Sequence, residues 1–169
     1  KLKTIFHVSD IHVRLLQRHK EYQVVFEKLY KEIKKQNTGN SIIYVGGDIV
    51  HAKLDMSPEL IDLTSNFFRR LADIAPTIII TGNHDCNLNN LSRLDALQPI
   101  INNLDLPNIH YLKDTGVYYL ADVTISVMSV FDEHHPERYH LAKDIEGDTK
   151  IALFHGTVDN STTDFGFRL

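Results

Sequence analysis

Acidic, amide and imidazole side chains follow four β-like segments of this sequence, each at the point where the segment ends. Asp10 and His12 follow the first segment, and Asp48 follows the second after two glycines. Asn83 follows the third segment, and His155 follows the last. In open α/β sheets, ligands bind in the crevice beyond the carboxyl ends of the strands. We therefore predict that these five residues and His84, which are far apart in the chain, meet at one edge of a sheet.

The donor atoms of this predicted site suit two divalent metal ions. Asp10 and His12 are close enough in sequence to reach one ion from a turning loop, and the two carboxylate oxygens of Asp48 could bridge two ions. Asn83 adds a neutral oxygen, and His155 adds an imidazole nitrogen. Such mixed ligands suit Mn²⁺, Fe or Zn²⁺ better than thiolate-seeking metals, with Mg²⁺ as a further alternative. Two ions about 3.5–4 Å apart produce a hydroxide near neutral pH and hold a phosphate between them.

Each of these motifs also has an ordinary structural interpretation. Asp-x-His after a strand is most often only a loop, and Gly-Gly-Asp is a common turn. Asn-His-Asp also suits a polar turn, and a lone histidine after a strand is more often hydrogen-bonded than a ligand. Because all four motifs stand at strand ends, their combination favours the metal site over four separate coincidences.

Apolar residues alternate between short β-rich runs and longer helical stretches. They recur at helical spacing over 21–35, and the Ser-Pro-Glu sequence at 57–59 is a typical helix start. A third helix is predicted at 92–103, broken or kinked at Pro99. Strands are predicted at 2–8, 41–45, 77–80, 109–112, 117–120, 123–130 and 149–154. This order of elements predicts an α/β layered fold with a mixed sheet.

Length and composition limit the classes of protein to which the chain can belong. It has 169 residues, which predicts one domain over 1–169, and no apolar run long enough to cross a membrane. Its single cysteine, Cys86, excludes a disulfide scaffold and is consistent with an intracellular, reducing compartment. The net charge of −4 argues against nucleic-acid binding by bulk positive charge alone, although two bound divalent cations would cancel it.

The four motifs together resemble the calcineurin-like metallophosphoesterase superfamily. They are Asp10-Ile11-His12, Gly46-Gly47-Asp48, Gly82-Asn83-His84-Asp85 and the later His155. The resemblance implies an αββα sandwich of layers. It also implies that Asp10, His12 and Asp48 hold one metal, and that Asp48, Asn83 and His155 hold the second. His84 would then be the catalytic histidine, which protonates the leaving oxygen or stabilises its charge.

One branch of this superfamily matches better than the others. Protein serine/threonine phosphatases carry Asp-Arg-Gly near the bridging aspartate and Gly-Asn-His-Glu later, and this sequence carries neither. His51, three residues after Asp48, and the Ser57-Pro58 pair are similar to the SbcD-type nucleases of DNA double-strand-break repair. By this resemblance His51 helps to position a DNA phosphate. The alternative is a solvated loop histidine.

The resemblance implies a manganese-dependent DNA exonuclease or endonuclease of double-strand-break repair or recombination, in which a metal-bound hydroxide attacks a phosphodiester. Its partners would be DNA, an SMC-like ATPase subunit and a second copy of the chain, with no membrane. Two other functions stay open. One is a phosphoesterase that acts on nucleotides or other small phosphodiesters, and the other is a catalytically crippled domain that binds a partner.

Other polar residues receive weaker assignments. Asp85 is a candidate for orienting His84. His134, His135 and His140 are expected in a solvated loop, and nothing makes Cys86 a nucleophile. The superfamily places a further histidine motif beyond the position of His155, and the residues that follow here contain no histidine. We therefore expect a domain that is incomplete at its C-terminus, with weakened metal affinity and low or no activity.

Overall fold

Four parallel strands form the first sheet of the computed structural model, which describes residues 1–158, 161, 162 and 166. They are β1 (Thr4–Val8), β2 (Ser41–Val45), β3 (Thr77–Ile79) and β4 (Ile109–Tyr111), and they lie in that order across the sheet. Every residue of β2 is buried, which explains its continuous apolar sequence Ser-Ile-Ile-Tyr-Val. Because all four strands are parallel, their carboxyl ends lie at the same edge of the sheet.

Three α-helices pack with this first sheet. They are α1 (His19–Gln36), α2 (Pro58–Ala72) and α3 (Gln98–Leu104). Phe26 of α1 and Phe67 of α2 stack with ring centroids 4.4 Å apart, within a core that includes Ile43 and Val45 of β2. Ser57 begins α2 as expected, since its hydroxyl accepts a hydrogen bond from the Leu60 N–H.

A second, three-stranded sheet covers the other face of the first. Its strands are β5 (Gly116–Leu120), β6 (Val123–Met128) and β7 (Thr149–Phe154). The β5–β6 pair is antiparallel and the β6–β7 pair is parallel, so the prediction of a mixed sheet is confirmed here. A second core lies between the sheets and includes Tyr44, Ile78, Ile125, Val127 and Leu153. The described residues thus build a helix layer and two sheet layers, in agreement with the predicted α/β layered class.

The predicted helix over 92–103 is wrong in its first half. The helix begins at Gln98, and Pro99 lies in its first turn, where a proline needs no N–H partner. The Asp95 carboxylate accepts hydrogen bonds from the N–H groups of Leu97 and Gln98 and so ends the preceding loop. Pro99 therefore begins α3 and does not interrupt a longer helix.

The region after β6 also differs in detail from the prediction. The strand expected over 123–130 ends at Met128, and a short 3-10 helix follows at Val130–Asp132. Ser129 stops the strand because its hydroxyl donates to the Lys113 carbonyl and accepts from the Phe131 N–H. The histidines at 134, 135 and 140 are exposed, which confirms the predicted solvated segment.

Within the residues that the structure describes, no helix combines the length and the apolar character that a membrane span requires.

Candidate metal centre

The loops that follow β1 and β2 run side by side and bring three of the predicted ligands together. The Asp10 N–H donates to the Gly47 carbonyl at 3.1 Å, and the His12 N–H donates to the Asp48 carbonyl at 2.9 Å. One residue further on, Val13 forms a parallel bridge with Val50. These backbone bonds fix Asp10 and His12 beside Asp48.

All three of these residues have a left-handed backbone conformation. The φ angles of Asp10, His12 and Asp48 are 54°, 49° and 53°. This region costs about 1–2 kcal/mol for a residue with a Cβ, so it persists only where the surrounding bonds enforce it. All three residues lie at the same edge of the sheet. Their strained backbone lowers local stability, and it fixes the orientation of their side chains.

Gly82 allows the loop after β3 to approach Asp48. A Cβ atom at Gly82 would lie 2.2 Å from both the backbone nitrogen and the Oδ1 atom of Asp48. Only a residue without a side chain fits this contact. The glycine of the Gly-Asn-His-Asp motif is therefore required so that Asn83 and His84 can reach the shared carboxylate.

The two Asp48 carboxylate oxygens face two different histidines. Oδ2 lies 3.5 Å from His12 Nε2, and Oδ1 lies 3.4 Å from His155 Nε2. The Asp10 carboxylate is 4.0 Å from His12 Nε2, and the Asn83 amide oxygen is 3.1 Å from His155 Nε2. The structure therefore brings all five predicted ligands together in two groups that share Asp48.

These distances suit metal ligation. Metal–ligand bonds of about 2.0–2.2 Å place neighbouring donor atoms about 3.0–3.5 Å apart at tetrahedral or octahedral angles. His155 Nδ1 lies 2.7 Å from the Gly46 carbonyl, which can only accept, so the proton sits on Nδ1 and Nε2 remains for a ligand. Metal-binding histidines are usually oriented by such a backbone contact. The residues present therefore fit a pair of divalent ions bridged by Asp48.

The electrostatics of this group keep Asp48 ionised. Burial favours its neutral form, but contacts with His155 and the His84 N–H outweigh burial and hold the pKa of Asp48 below its ordinary value. The same contact with Asp48 raises the pKa of His155 to about 9, against the opposing effect of burial. Without a cation, the positive charge of this histidine balances the negative charge of the buried Asp48 carboxylate. A bound metal ion would balance that charge instead.

His84 and His51 lie together beside the metal ligands. The His84 N–H donates to Asp48 Oδ1 at 2.9 Å, and His84 Nδ1 lies 2.7 Å from the His51 carbonyl. That carbonyl can only accept, so His84 carries a proton on Nδ1 and its Nε2 atom is left to act on a substrate. The His12 and His84 rings meet edge to face with centroids 4.8 Å apart.

Asp85 does not orient His84, contrary to the role considered for it. Its side chain is fully buried and accepts hydrogen bonds from the N–H groups of Ile49, Val50 and Gly82 at 2.9, 3.0 and 2.9 Å. Burial raises the pKa of Asp85 to about 7, although these donors oppose the rise. Asp85 therefore ties the loop after β3 to the loop that carries Asp48, a role that the sequence did not reveal.

A family model described as calcineurin-like phosphoesterase matches residues 3–168, the span that contains every residue of this site. The chain belongs to the calcineurin-like phosphoesterase family. Members of this family are hydrolases that typically bind divalent metals. This agrees with two clusters whose donor atoms lie close enough to hold a metal ion, one of Asp10, Asp48 and His155 and one of His12, His51 and His84.

Two individual proteins are similar to this phosphoesterase chain. Uncharacterized protein R555 of Acanthamoeba polyphaga mimivirus is 49% identical over 178 residues, which cover 100% of this chain and 13% of that protein. The chain thus spans a small part of that relative. A crystal structure of the Pseudomonas putida nuclease MPE shares 16% identity and a TM-score of 0.43, covering 73% of this chain and 54% of that one.

An open cleft of about 400 Å³ adjoins the phosphoesterase site. It is lined by His51, Ala52, Lys53, Leu54, Asp55, Asn83 and His84. A larger groove of about 630 Å³ lies between α2 and α3 and includes none of the predicted ligands. The smaller cleft is therefore the one in which a substrate could meet His84.

Cys86 lies beneath this site, and its thiol is unreactive. It is 1% exposed, and burial raises the pKa of its thiol to about 12. A thiol that is both buried and protonated cannot act as a nucleophile near neutral pH. Its burial and raised thiol pKa agree with the prediction that nothing makes Cys86 a nucleophile.

Proposed function

We propose that this phosphoesterase is a manganese-dependent DNA nuclease of the SbcD-type branch, acting in double-strand-break repair or recombination. The observation that carries the proposal is the position of His84. Its Nδ1 proton is held by the His51 carbonyl, and its ring lies in an open cleft beside the carboxylate that both ligand groups share. In its imidazolium form a histidine fixed in this way carries a second proton on Nε2, and it can transfer that proton to the leaving oxygen of a phosphodiester.

Other residues of the site would bind the metal ions and orient His84. Asp10, His12, Asp48, Asn83 and His155 would hold two divalent ions. When bound, such ions activate water and stabilise charge on a phosphate. Asp48, kept ionised, fixes the distance between the two ligand groups and orients the His84 backbone. His84 then needs only to deliver a proton, because its ring is already oriented by His51.

Two features favour a polynucleotide over a small ester. The cleft is open to solvent, so a substrate longer than a small ester can extend beyond it. His51 and Lys53 line the same cleft and can approach a phosphate oxygen. The net charge of −4 means that binding relies on these local contacts and on bound cations. An SMC-like ATPase partner and a second copy of the chain would enlarge the DNA-binding surface.

The decisive experiment compares hydrolysis and metal binding in matched variants. A DNA duplex with free ends and bis(p-nitrophenyl) phosphate are incubated with excess protein and Mn²⁺, so that even slow turnover is seen. We expect His84→Ala to slow DNA cleavage by about 10²–10⁴-fold, the usual effect of removing a general acid, while Mn²⁺ affinity by calorimetry is retained. Asp48→Asn should lose both properties. His134→Ala is the control, because that side chain is 89% exposed and lies outside the site.

Three results would contradict the proposal in different ways. Hydrolysis of the small ester alone would favour a phosphoesterase for small substrates. Unchanged DNA cleavage in His84→Ala would remove the catalytic role of that histidine. Absence of any hydrolysis together with tight Mn²⁺ binding would favour a partner-binding domain, because the low activity expected of an incomplete site is accompanied by weakened metal affinity.

A further inference from the structure

A tight turn presents an apolar side chain at the mouth of the catalytic cleft. The Asp55 N–H donates to the Ala52 carbonyl at 3.1 Å, so Lys53 and Leu54 form the tip of this turn. Leu54 is 69% exposed and lines the same cleft as His84. An exposed leucine is ordinary by itself, but one beside a catalytic group contacts whatever enters the cleft.

A second loop places a similar pair of residues next to this turn. Arg93 is exposed and Leu94 is 71% exposed. Lys53, Leu54, Arg93 and Leu94 all line one groove of about 230 Å³, which continues from the catalytic cleft through Leu54. We call these four residues the leucine shelf. It combines two cations with two apolar side chains on one side of the metal centre.

The loop that carries Leu94 is firmly anchored. The next residue, Asp95, has a fully buried side chain that lies 2.9 Å from the Lys113 ammonium. The Ala96 N–H donates to the Asp85 carbonyl at 2.8 Å, which ties this loop to the metal-site framework. The backbone next to Leu94 is therefore held beside the metal-site framework, and a ligand would spend little free energy on ordering this part of the shelf.

We propose that the leucine shelf holds an unpaired nucleobase adjacent to the scissile phosphate, so that the substrate of this site is a single-stranded or frayed polynucleotide end. The two leucines would contact the base, since leucine inserts against bases in other nucleic-acid complexes. Lys53 and Arg93 would contact the flanking phosphates. This inference rests on the proposed nuclease function and names the form of its substrate.

Charge and position favour a polynucleotide over a protein on this surface. Among the ion pairs of the described residues, none involves Lys53 or Arg93, so both cations remain available to phosphates. The shelf is also continuous with the catalytic cleft, and a protein seated on it would cover the approach to His84. A polynucleotide strand uses the cleft and the shelf together.

The test compares a substrate with bases and a substrate without them. A short fluorescent oligothymidylate and a matched oligomer of tetrahydrofuran abasic residues are cleaved by the full chain with Mn²⁺. Binding of the same two oligomers is measured by anisotropy in the His84→Ala background. We expect the wild type to prefer the oligomer with bases by about ten-fold, the effect of about 1.4 kcal/mol of apolar contact. The Leu54→Ala/Leu94→Ala variant should reduce this preference to about two-fold or less.

Two further variants separate base contact from general effects. Lys53→Gln should weaken binding of both oligomers equally, because a phosphate contact does not depend on the base. Leu141→Ala is the matched control, since that leucine is 57% exposed but belongs to neither the cleft nor the shelf. It should keep the ten-fold preference. Because both shelf leucines are exposed, their replacement should leave the far-UV circular dichroism unchanged.

The outcomes distinguish this inference from the proposed function. If the wild type cleaves both oligomers equally, or if the double leucine variant keeps the preference, the shelf does not hold a base while the nuclease function stands. If the wild type hydrolyses bis(p-nitrophenyl) phosphate but neither oligomer, the proposed nuclease function fails and the inference fails with it. If the leucines bind a protein instead, their replacement should leave the cleavage rates of both oligomers unchanged.

Discussion

Replacement of Asp85 tests whether one buried carboxylate holds the metal-site loops together. Its Oδ1 atom accepts from the N–H groups of Ile49 and Val50, and its Oδ2 atom accepts from the Gly82 N–H. Asp85→Ala would leave all three donors without a partner in a fully buried place. Asp85→Asn keeps an oxygen for the first two donors but turns an amide NH₂ group towards the third.

The structure predicts different losses in the free energy of unfolding for the two variants. Each buried N–H without a partner costs about 1–3 kcal/mol, and entry of water into the space left by the side chain recovers part of this. We therefore expect Asp85→Ala to lower the free energy of unfolding by about 3–5 kcal/mol. Asp85→Asn loses one bond and relieves the burial of a charge, so we expect a loss of about 1–2 kcal/mol.

The assay is urea unfolding followed by far-UV circular dichroism, with EDTA present so that metal binding does not contribute to stability. Mn²⁺ affinity is then measured by calorimetry for each variant that remains folded. Because Asp85 fixes the loop of Asp48, Asp85→Asn should weaken Mn²⁺ binding even though it removes no ligand. Equal stabilities of the two variants, or a loss below about 0.5 kcal/mol for both, would refute the assigned role.

Three further predictions concern the supports of the site. A Cβ at Gly82 would lie 2.2 Å from the Asp48 nitrogen, so Gly82→Ala should cost at least about 2 kcal/mol in urea unfolding. Gly116→Ala, where the nearest atom is 3.4 Å away, should stay within about 0.5 kcal/mol of wild type, and equal costs would contradict the steric reason. Cys86, with its thiol pKa raised to about 12, should not react with a thiol reagent at pH 8 until urea unfolds the chain; labelling of the folded protein would show otherwise. Ser57→Ala should lower stability by about 1 kcal/mol through loss of the helix cap, and no change would mean that the cap is dispensable.

The strands and the first two helices were predictable because their signals are local. Periodicity over 21–35 and the Ser57 cap depend on residues within a few turns of one another, and both correspond to helices in the structure. The helix over 92–103 was predicted too long because Asp95 binds Lys113 and the N–H groups that begin α3. These contacts come from the tertiary structure and leave no periodic pattern.

The types of residue at the site were also readable in the sequence. Asp10, His12, Asp48, Asn83 and His155 each follow a strand, and parallel strands place such residues at one edge. Their convergence is what the structure shows, and their roles as metal ligands stay a prediction that the Mn²⁺ titrations test. The family match over residues 3–168 agrees with the resemblance of these motifs.

The sequence by itself placed Asp10, His12, Asp48, Asn83 and His155 directly after predicted strands and indicated donor atoms that suit divalent metal ions. These depend on residue type and on spacing along the chain. Only the tertiary structure decided that Asp85 fastens two loops, that the His51 carbonyl sets the tautomer of His84, and that Leu54 and Leu94 share one groove. Each of these depends on which backbone groups and loops from distant parts of the chain come to lie within a few ångströms of one another.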